Sequence, residues 1–403
     1  MIDPGTPDRL ERRTSIVMVS SDGGRTGAPA IMLGLLRWLK RHHRIDAVVV
    51  LMRDGDLREV FEAEAPTHIW RPIDLNQPDR LHRRLGKMLE QRRHSDPGRW
   101  LVELLNRIKP DVIYLSTLVL GKYLHDYQPP ARSRVISHVH ELLPSLLQLS
   151  SRADVRRQIS LSNLVIAPDD LISRMLQHDF DLAAEKCVVI PEFVEPAAAA
   201  PERSVLMAHE SSSWMQRLHQ AIDRQMPIVG IGGNPISRKG FDLFPLLLQQ
   251  CRACMPDTPF LAVWIGCSPD SAAHASLDWD LEHLGLQQHC LCIPSLPMPA
   301  FRAVLSKLRV LTLLSREDPF PLVALEAARL GIPTVCFEGS GAIPSLAAEG
   351  CCVAVPYLDL TAYAEAVWRL IQEPAEAQAI GLRCRDKVEA DFAIETVAPR
   401  PVS

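Results

Sequence analysis

The chain has 403 residues, 47% hydrophobic and 23% charged, which fits a globular protein of about two domains and excludes disordered or collagen-like classes. Its formal net charge of −4 supplies no global attraction for nucleic acid, so no nucleic-acid partner is expected. No apolar run reaches membrane-spanning length and the opening "MIDPGTPDRLERR" has neither a signal core nor a transit pattern, so a cytoplasmic location is expected.

In chain order, strand-like and helix-like pieces alternate. "SIVMVS" precedes a helical run from Ala28 to Trp38, "AVVVLM" one from Leu57 to Glu64, "DVIYLS" one from Val119 to Tyr127, and "RVISH" one from Leu142 to Leu149. "LVIAP" then leads into "DDLISRMLQ", and "VVIP" closes the series near Pro191. A Pro- and Ala-rich joint, "PEFVEPAAAAPERS", and a helical piece up to Gln225 follow. Alternation restarts at "PIVGIG", with "FLAVWIG", "CLCIP", "VLTLL", "PTVCF" and "CVAVP" as further strands. Such repetition predicts two Rossmann-like, doubly wound parallel sheets in an α/β protein. The boundaries are expected at 1–195 and 196–382, with a segment 383–403 packing back on the first domain.

Residues Pro78 to Arg99 place Leu81, Leu85, Met88 and Leu89 on one helical face and Arg83, Arg84, Lys87, Arg92 and Arg93 around the rest. That pattern suits contact with an anionic membrane surface and equally a solvated helix over a core. All ten cysteines lie between Cys187 and Cys384. "CRAC" sits on a helical pattern with no second pair, and Cys290 and Cys292 are expected on opposite sides of a strand, so buried free thiols are expected rather than zinc ligands or disulfides.

The stretch "SREDPFPLVALEAARLGIP", Ser315 to Pro333, carries the clearest chemistry. After the strand "VLTLL" the chain turns, and Pro321 suits the step before a helix starting near Leu322. Gly331 suits its C-terminal cap and Pro333 its stop. Asp318 then stands at the strand's exit and Glu326 one turn into the helix, where carboxylates accept hydrogen bonds from hydroxyls. The helix start near Phe320 and Leu322 favours an anion. Acids near a helix start are also stabilised by the helix dipole, so this arrangement has a purely structural reading as well. Four further stretches fall at strand exits. They are "GGRTGAP" with Gly23, Gly24 and Gly27, "SHVHEL" with His138 and His140, "GIGGNPISRKGFDLF" with Asn234, Arg238 and Lys239, and "FEGSGAIPS".

Together these stretches resemble the retaining glycosyltransferases of family four, which have the two-domain GT-B fold with Rossmann-like sheets facing across a cleft. The resemblance is strong at Arg238 to Gly240, Val263 to Gly266, Ser315 to Ala327, Gly331 to Phe337 and Val355 to Asp359, and looser in the first half. It implies transfer of a sugar from a nucleoside diphosphate sugar to a saccharide or lipid-linked saccharide in bacterial cell-surface glycan synthesis. Asp318 would hold donor-sugar hydroxyls and Glu326 the ribose hydroxyls. The backbone at Phe320 and Leu322 would meet the diphosphate, which Lys239 and Arg238 would neutralise without a metal or other cofactor. His140 would lie near the donor sugar, and Gly23, Gly24 and Gly27 in the loop facing donor and acceptor. The chain departs from the pattern at Asp318, where Glu is common, at Asn234, where Arg is usual, at Pro319 and Pro321, where glycines recur, and at Ser345 in place of Glu. Two other readings remain: a catalytically silent nucleotide-sugar-binding module, and a GT-B epimerase or hydrolase acting on sugar nucleotides.

Overall fold

The computed structural model describes residues 13–70, 96–195 and 212–399. The expected basic helix from Pro78 therefore lies outside the described residues up to position 95. The chain divides into two compact units, the first reaching Ile190 and the second running from Pro191 to Pro399.

The first unit is built on β1 (Thr14–Ser20), β2 (Ile45–Leu51), β3 (Thr67–Ile69), β4 (Val112–Leu115), β5 (Arg134–His138), β6 (Leu164–Ala167) and β7 (Cys187–Val189). They pair all-parallel in the order β3-β2-β1-β4-β5-β6-β7. The second unit contains β8 (Ile228–Gly232), β9 (Leu261–Ile265), β10 (Cys290–Ile293), β11 (Val310–Leu313), β12 (Thr334–Phe337) and β13 (Val353–Val355), also all-parallel, in the order β10-β9-β8-β11-β12-β13. Continuous apolar strands fit sheets covered on both faces. Along β9, Leu261, Val263 and Ile265 enter one core cluster while Ala262 and Trp264 enter another; on β1, Val17 and Val19 oppose Ile16 and Met18 in the same way.

Each sheet reverses its strand order once, between β1 and β4 in the first unit and between β8 and β11 in the second. Crevices outside the carboxyl ends of strands at such reversals are where open parallel sheets bind ligands.

Several local expectations change. The piece expected as a helix from Val119 is a 3-10 turn over Leu118–Tyr123. There Gly121 lies so close to Asp154 that a Cβ would fall 2.1 Å from its carbonyl oxygen. The boundary expected at residue 382 falls inside the helix Pro374–Asp391, and the chain through Pro399 is part of the second unit. Gly381 of that helix packs on Gly331, just past the helix Leu322–Arg329. All ten cysteines are free, as thiols. Cys290 and Cys292 share one face of β10 and interact with each other, because side chains two apart on a strand point the same way; the expectation of opposite sides is corrected.

Candidate functional site

The loops following β8 and β11, the two strands at the second reversal, are tied into one structure. After β8, Gly233 offers its carbonyl to Trp264 Nε1 at 2.8 Å, and the fully buried Trp264 is held edge-on by Phe241 and Phe244. The chain then makes a 3-10 turn, Ser237–Lys239, ended by Gly240 at φ 75°, where a Cβ would lie 2.1 Å from the Leu314 carbonyl. Only glycine permits that turn to press against the end of β11. Arg316 donates to both carboxylate oxygens of Asp242 at 2.8 Å, and its backbone N–H donates to the Arg238 carbonyl at 2.9 Å. On the other side Asp318 N–H donates to the Ser340 carbonyl at 2.6 Å, and Gly341, at φ 150°, runs against the Asp318 backbone.

These ties bring three residues expected from the sequence together. Lys239 Nζ donates to Asp318 Oδ2, Arg238 Nη1 lies 3.6 Å from Oδ1, and the Ser315 hydroxyl lies 3.3 Å from Oδ2. Arg238 Nη1 also donates to the Glu317 carbonyl at 3.0 Å. Asp318 is buried, and burial lowers the Lys239 ammonium below the ordinary lysine range even though Asp318 pulls the other way. Two cations thus meet one carboxylate beside the start of the helix Leu322–Arg329. Phe320 and Leu322 turn their side chains into the core below, Phe320 reaching Phe392 at 5.5 Å between ring centroids. Asn234 is exposed on the same loop, its carbonyl accepting from Ile236 N–H.

Glu326 is placed differently from its expected surroundings. Its carboxylate is buried and accepts two bonds of 2.7 Å from Arg302, one from Nε and one from Nη2. Arg302 stands on the helix Met298–Leu305, which follows β10, and no sequence motif named it; the signal available was one cation in the otherwise uncharged run "MPAFRAVL".

In the first unit, Gly23 and Gly24 follow β1 and Gly27 opens the helix Gly27–His42. Gly23 N–H donates to the Arg53 carbonyl, Gly23 carbonyl accepts from Leu57 N–H, and Gly24 N–H is capped by Asp22 at 2.8 Å. Space beside Gly27 is open. His140 lies just beyond β5, its ring 4.3 Å from that of His138, which in turn meets the Tyr114 hydroxyl through Nδ1 at 2.7 Å. Burial pushes the His140 imidazole down to about 4, so it is neutral at pH 7. Its neighbour Glu141, which the sequence reading passed over, takes a hydrogen bond from the Thr117 hydroxyl at the exit of β4, and burial raises its pKa. Gln158 Nε2 fixes that exit by donating to the Thr117 carbonyl at 2.7 Å.

Residues 219–386 match the family described as glycosyl transferases group 1. The matching stretch lies within the second unit and contains Lys239, Arg238, Asp318 and Glu326. Solved structures similar over the whole chain share the two-domain GT-B fold. Anabaena HepE in complex with UDP and glucose is 17% identical, with a TM-score of 0.72 over 96% of this chain and 97% of that one. Sucrose-phosphate synthase from Thermosynechococcus elongatus is 18% identical, with a TM-score of 0.70 over 96% of each chain. WaaG, a glycosyltransferase involved in lipopolysaccharide biosynthesis, is 13% identical, with a TM-score of 0.65 over 94% of this chain and 96% of that one. No curated protein sequence matches the chain. Among the described residues no helix is long and apolar enough to cross a membrane.

Proposed function

We propose that the protein is a retaining glycosyltransferase that moves a hexose from a nucleoside diphosphate sugar to a saccharide or lipid-linked saccharide, in the assembly of a bacterial cell-surface glycan at the inner face of the membrane. The observation that carries this reading is the convergence of Lys239 and Arg238 on Asp318 at a strand reversal, within the stretch that matches the group 1 glycosyl transferases. HepE, a structural neighbour, is recorded in complex with UDP-glucose, which supports a nucleotide-sugar donor.

In this mechanism the bond between the anomeric carbon and the diphosphate oxygen breaks, and negative charge grows on the departing diphosphate. Lys239, Arg238 and the start of the helix Leu322–Arg329 meet that charge as fixed groups that need no reorganisation during the reaction, and no metal is required for it. Asp318 would give up part of its hold on Lys239 and accept hydroxyls of the donor sugar. The acceptor hydroxyl attacks from the face the diphosphate leaves, its proton passes to a departing phosphate oxygen, and configuration is retained. Within the first unit, neutral His140 and the glycine loop at Gly23, Gly24 and Gly27 stand at that sheet's own carboxyl edge, where they would meet sugar hydroxyls.

The test is a screen of UDP-, GDP- and TDP-sugars, with and without saccharide and lipid-linked acceptors, on the wild type and Lys239→Ala. A donor turned over by the wild type and slowed about 10²-fold or more in the variant supports the reading, that being the usual effect of removing one charge-stabilising donor. Free or isomerised sugar formed without any acceptor replaces it with a hydrolase or epimerase. Binding without turnover replaces it with a silent binding module.

A further inference from the structure

The 3-10 turn Ser237–Lys239 carries both cations that face Asp318, and Arg316, on the loop after β11, closes around that turn. Its Nη1 donates to the Ser237 carbonyl at 2.7 Å, where the turn begins, and to Asp242 Oδ1 at 2.8 Å, just past the turn's end. Nη2 donates to Asp242 Oδ2 at 2.8 Å, and the Arg316 backbone N–H donates to the Arg238 carbonyl at 2.9 Å. One residue thus holds the turn at its start, in its middle and beyond its end.

A 3-10 turn this short has few and poorly aligned bonds of its own, here Gly240 N–H to the Ser237 carbonyl at 2.9 Å. Lysine ends in a compact charge on a flexible stem, so the place of its ammonium depends on where the backbone beneath it is fixed. In the resting structure Asp318 also ties the Lys239 ammonium. That tie loosens when the ammonium turns to a diphosphate, whereas the bonds made by Arg316 involve neither group. Burial pushes the Asp242 carboxyl up, but the Arg316 fork outweighs it and holds the group below the ordinary carboxylate range, so the fork is intact at neutral pH. With side chains 27% and 53% exposed, the Arg316–Asp242 pair adds little to stability, and what it supplies is the position of the turn.

We propose that Arg316 is a positioning residue that keeps the turn Ser237–Lys239 in place once Asp318 loosens its hold on Lys239, and so keeps the ammonium aimed at the departing diphosphate. This rests on the nucleotide-sugar reading above. The effect passes through Lys239, with Asp242 as the other half of the clamp. A merely structural clamp would change stability and leave the chemical step untouched.

The test is steady-state release of UDP, GDP or TDP from the panel of sugar nucleotides, with saccharide and lipid-linked acceptors. It compares the wild type with Arg316→Gln, Arg316→Lys, Asp242→Asn, Lys239→Ala and the double variant Arg316→Gln with Lys239→Ala. Arg316→Gln is expected to lower kcat about tenfold or more, as a misplaced group does, with the donor KM changed less than about threefold. Arg316→Lys keeps a charge but cannot fork, and its loss is smaller. Asp242→Asn opens the clamp from the other side, lowers kcat in the same sense, and decides the matter if Arg316→Gln does not fold. On top of Lys239→Ala, Arg316→Gln costs less than about threefold, because the ammonium it positions is already gone. A further loss of about tenfold there, or a loss confined to KM, overturns the positioning role and leaves the donor reading intact. Unchanged turnover in both Arg316→Gln and Asp242→Asn does the same. No turnover of any sugar nucleotide by the wild type overturns the donor reading itself and the positioning role with it.

Discussion

Removing the ammonium of Lys239 isolates a charge in a place that cannot solvate it. Asp318 is 6% exposed, with the Ser315 hydroxyl at 3.3 Å and Arg238 at 3.6 Å as its remaining partners. Breaking a buried pair by deleting one partner costs about 3–5 kcal/mol, and the nearby guanidinium puts Lys239→Met at the lower end, about 3 kcal/mol. Asp318→Asn leaves an already desolvated ammonium without its counter-charge and costs a similar about 3 kcal/mol. The double variant removes both charges, so its cost is also about 3 kcal/mol or less, and the coupling energy is about 3 kcal/mol. Urea denaturation of all four proteins, followed by tryptophan fluorescence, measures it. Stability changes that add to within about 0.5 kcal/mol would show that the pair is not energetically coupled and that the buried-triad argument is wrong. All three variants are expected to lose donor turnover by about 10²-fold or more, since each disturbs the cation that faces the diphosphate.

Three further outcomes are expected. The His140 imidazole drops from 6.5 to about 4 in the folded chain, so between those values the unfolded chain binds the proton first and stability is lost as pH falls. Glu141, raised by burial, works in the opposite sense and loses stability as pH rises above the usual carboxylate range. His140→Asn should therefore remove about 2 kcal/mol of the stability drop between pH 7 and pH 5, read from urea midpoints, and an unchanged drop would contradict the burial of the ring. Gly341→Ala places a Cβ 1.7 Å from the Asp318 carbonyl at φ 150°, and should cost at least about 3 kcal/mol and weaken donor binding; a neutral effect on both would rule out the close approach. Burial pushes the Cys251 and Cys384 thiols up to about 12. Alkylation at pH 8, mapped by mass spectrometry, should reach the half-buried Cys187 and Cys254 first and these two only after unfolding.

Much of the fold was legible because its signals are local. Runs such as "AVVVL" and "VLTLL" need no partner to declare a strand covered on both faces, and the alternation with helical runs implies parallel sheets. The short edge strand β3, "THI", escaped notice because three residues carry no period. The functional loops were found by residue type at strand exits, and Lys239, Arg238 and Asp318 do converge. The sequence by itself thus determined the two sheets, the loops that carry chemistry, and the charges available there. Tertiary structure alone decided which charges meet. The strand order brings the loops after β8 and β11 side by side although 79 residues separate Lys239 from Asp318, and it sets Arg302 against Glu326 across 24 residues. Ion pairs between elements depend on which strands become neighbours, and that choice is made by packing the whole sheet rather than by any segment of it.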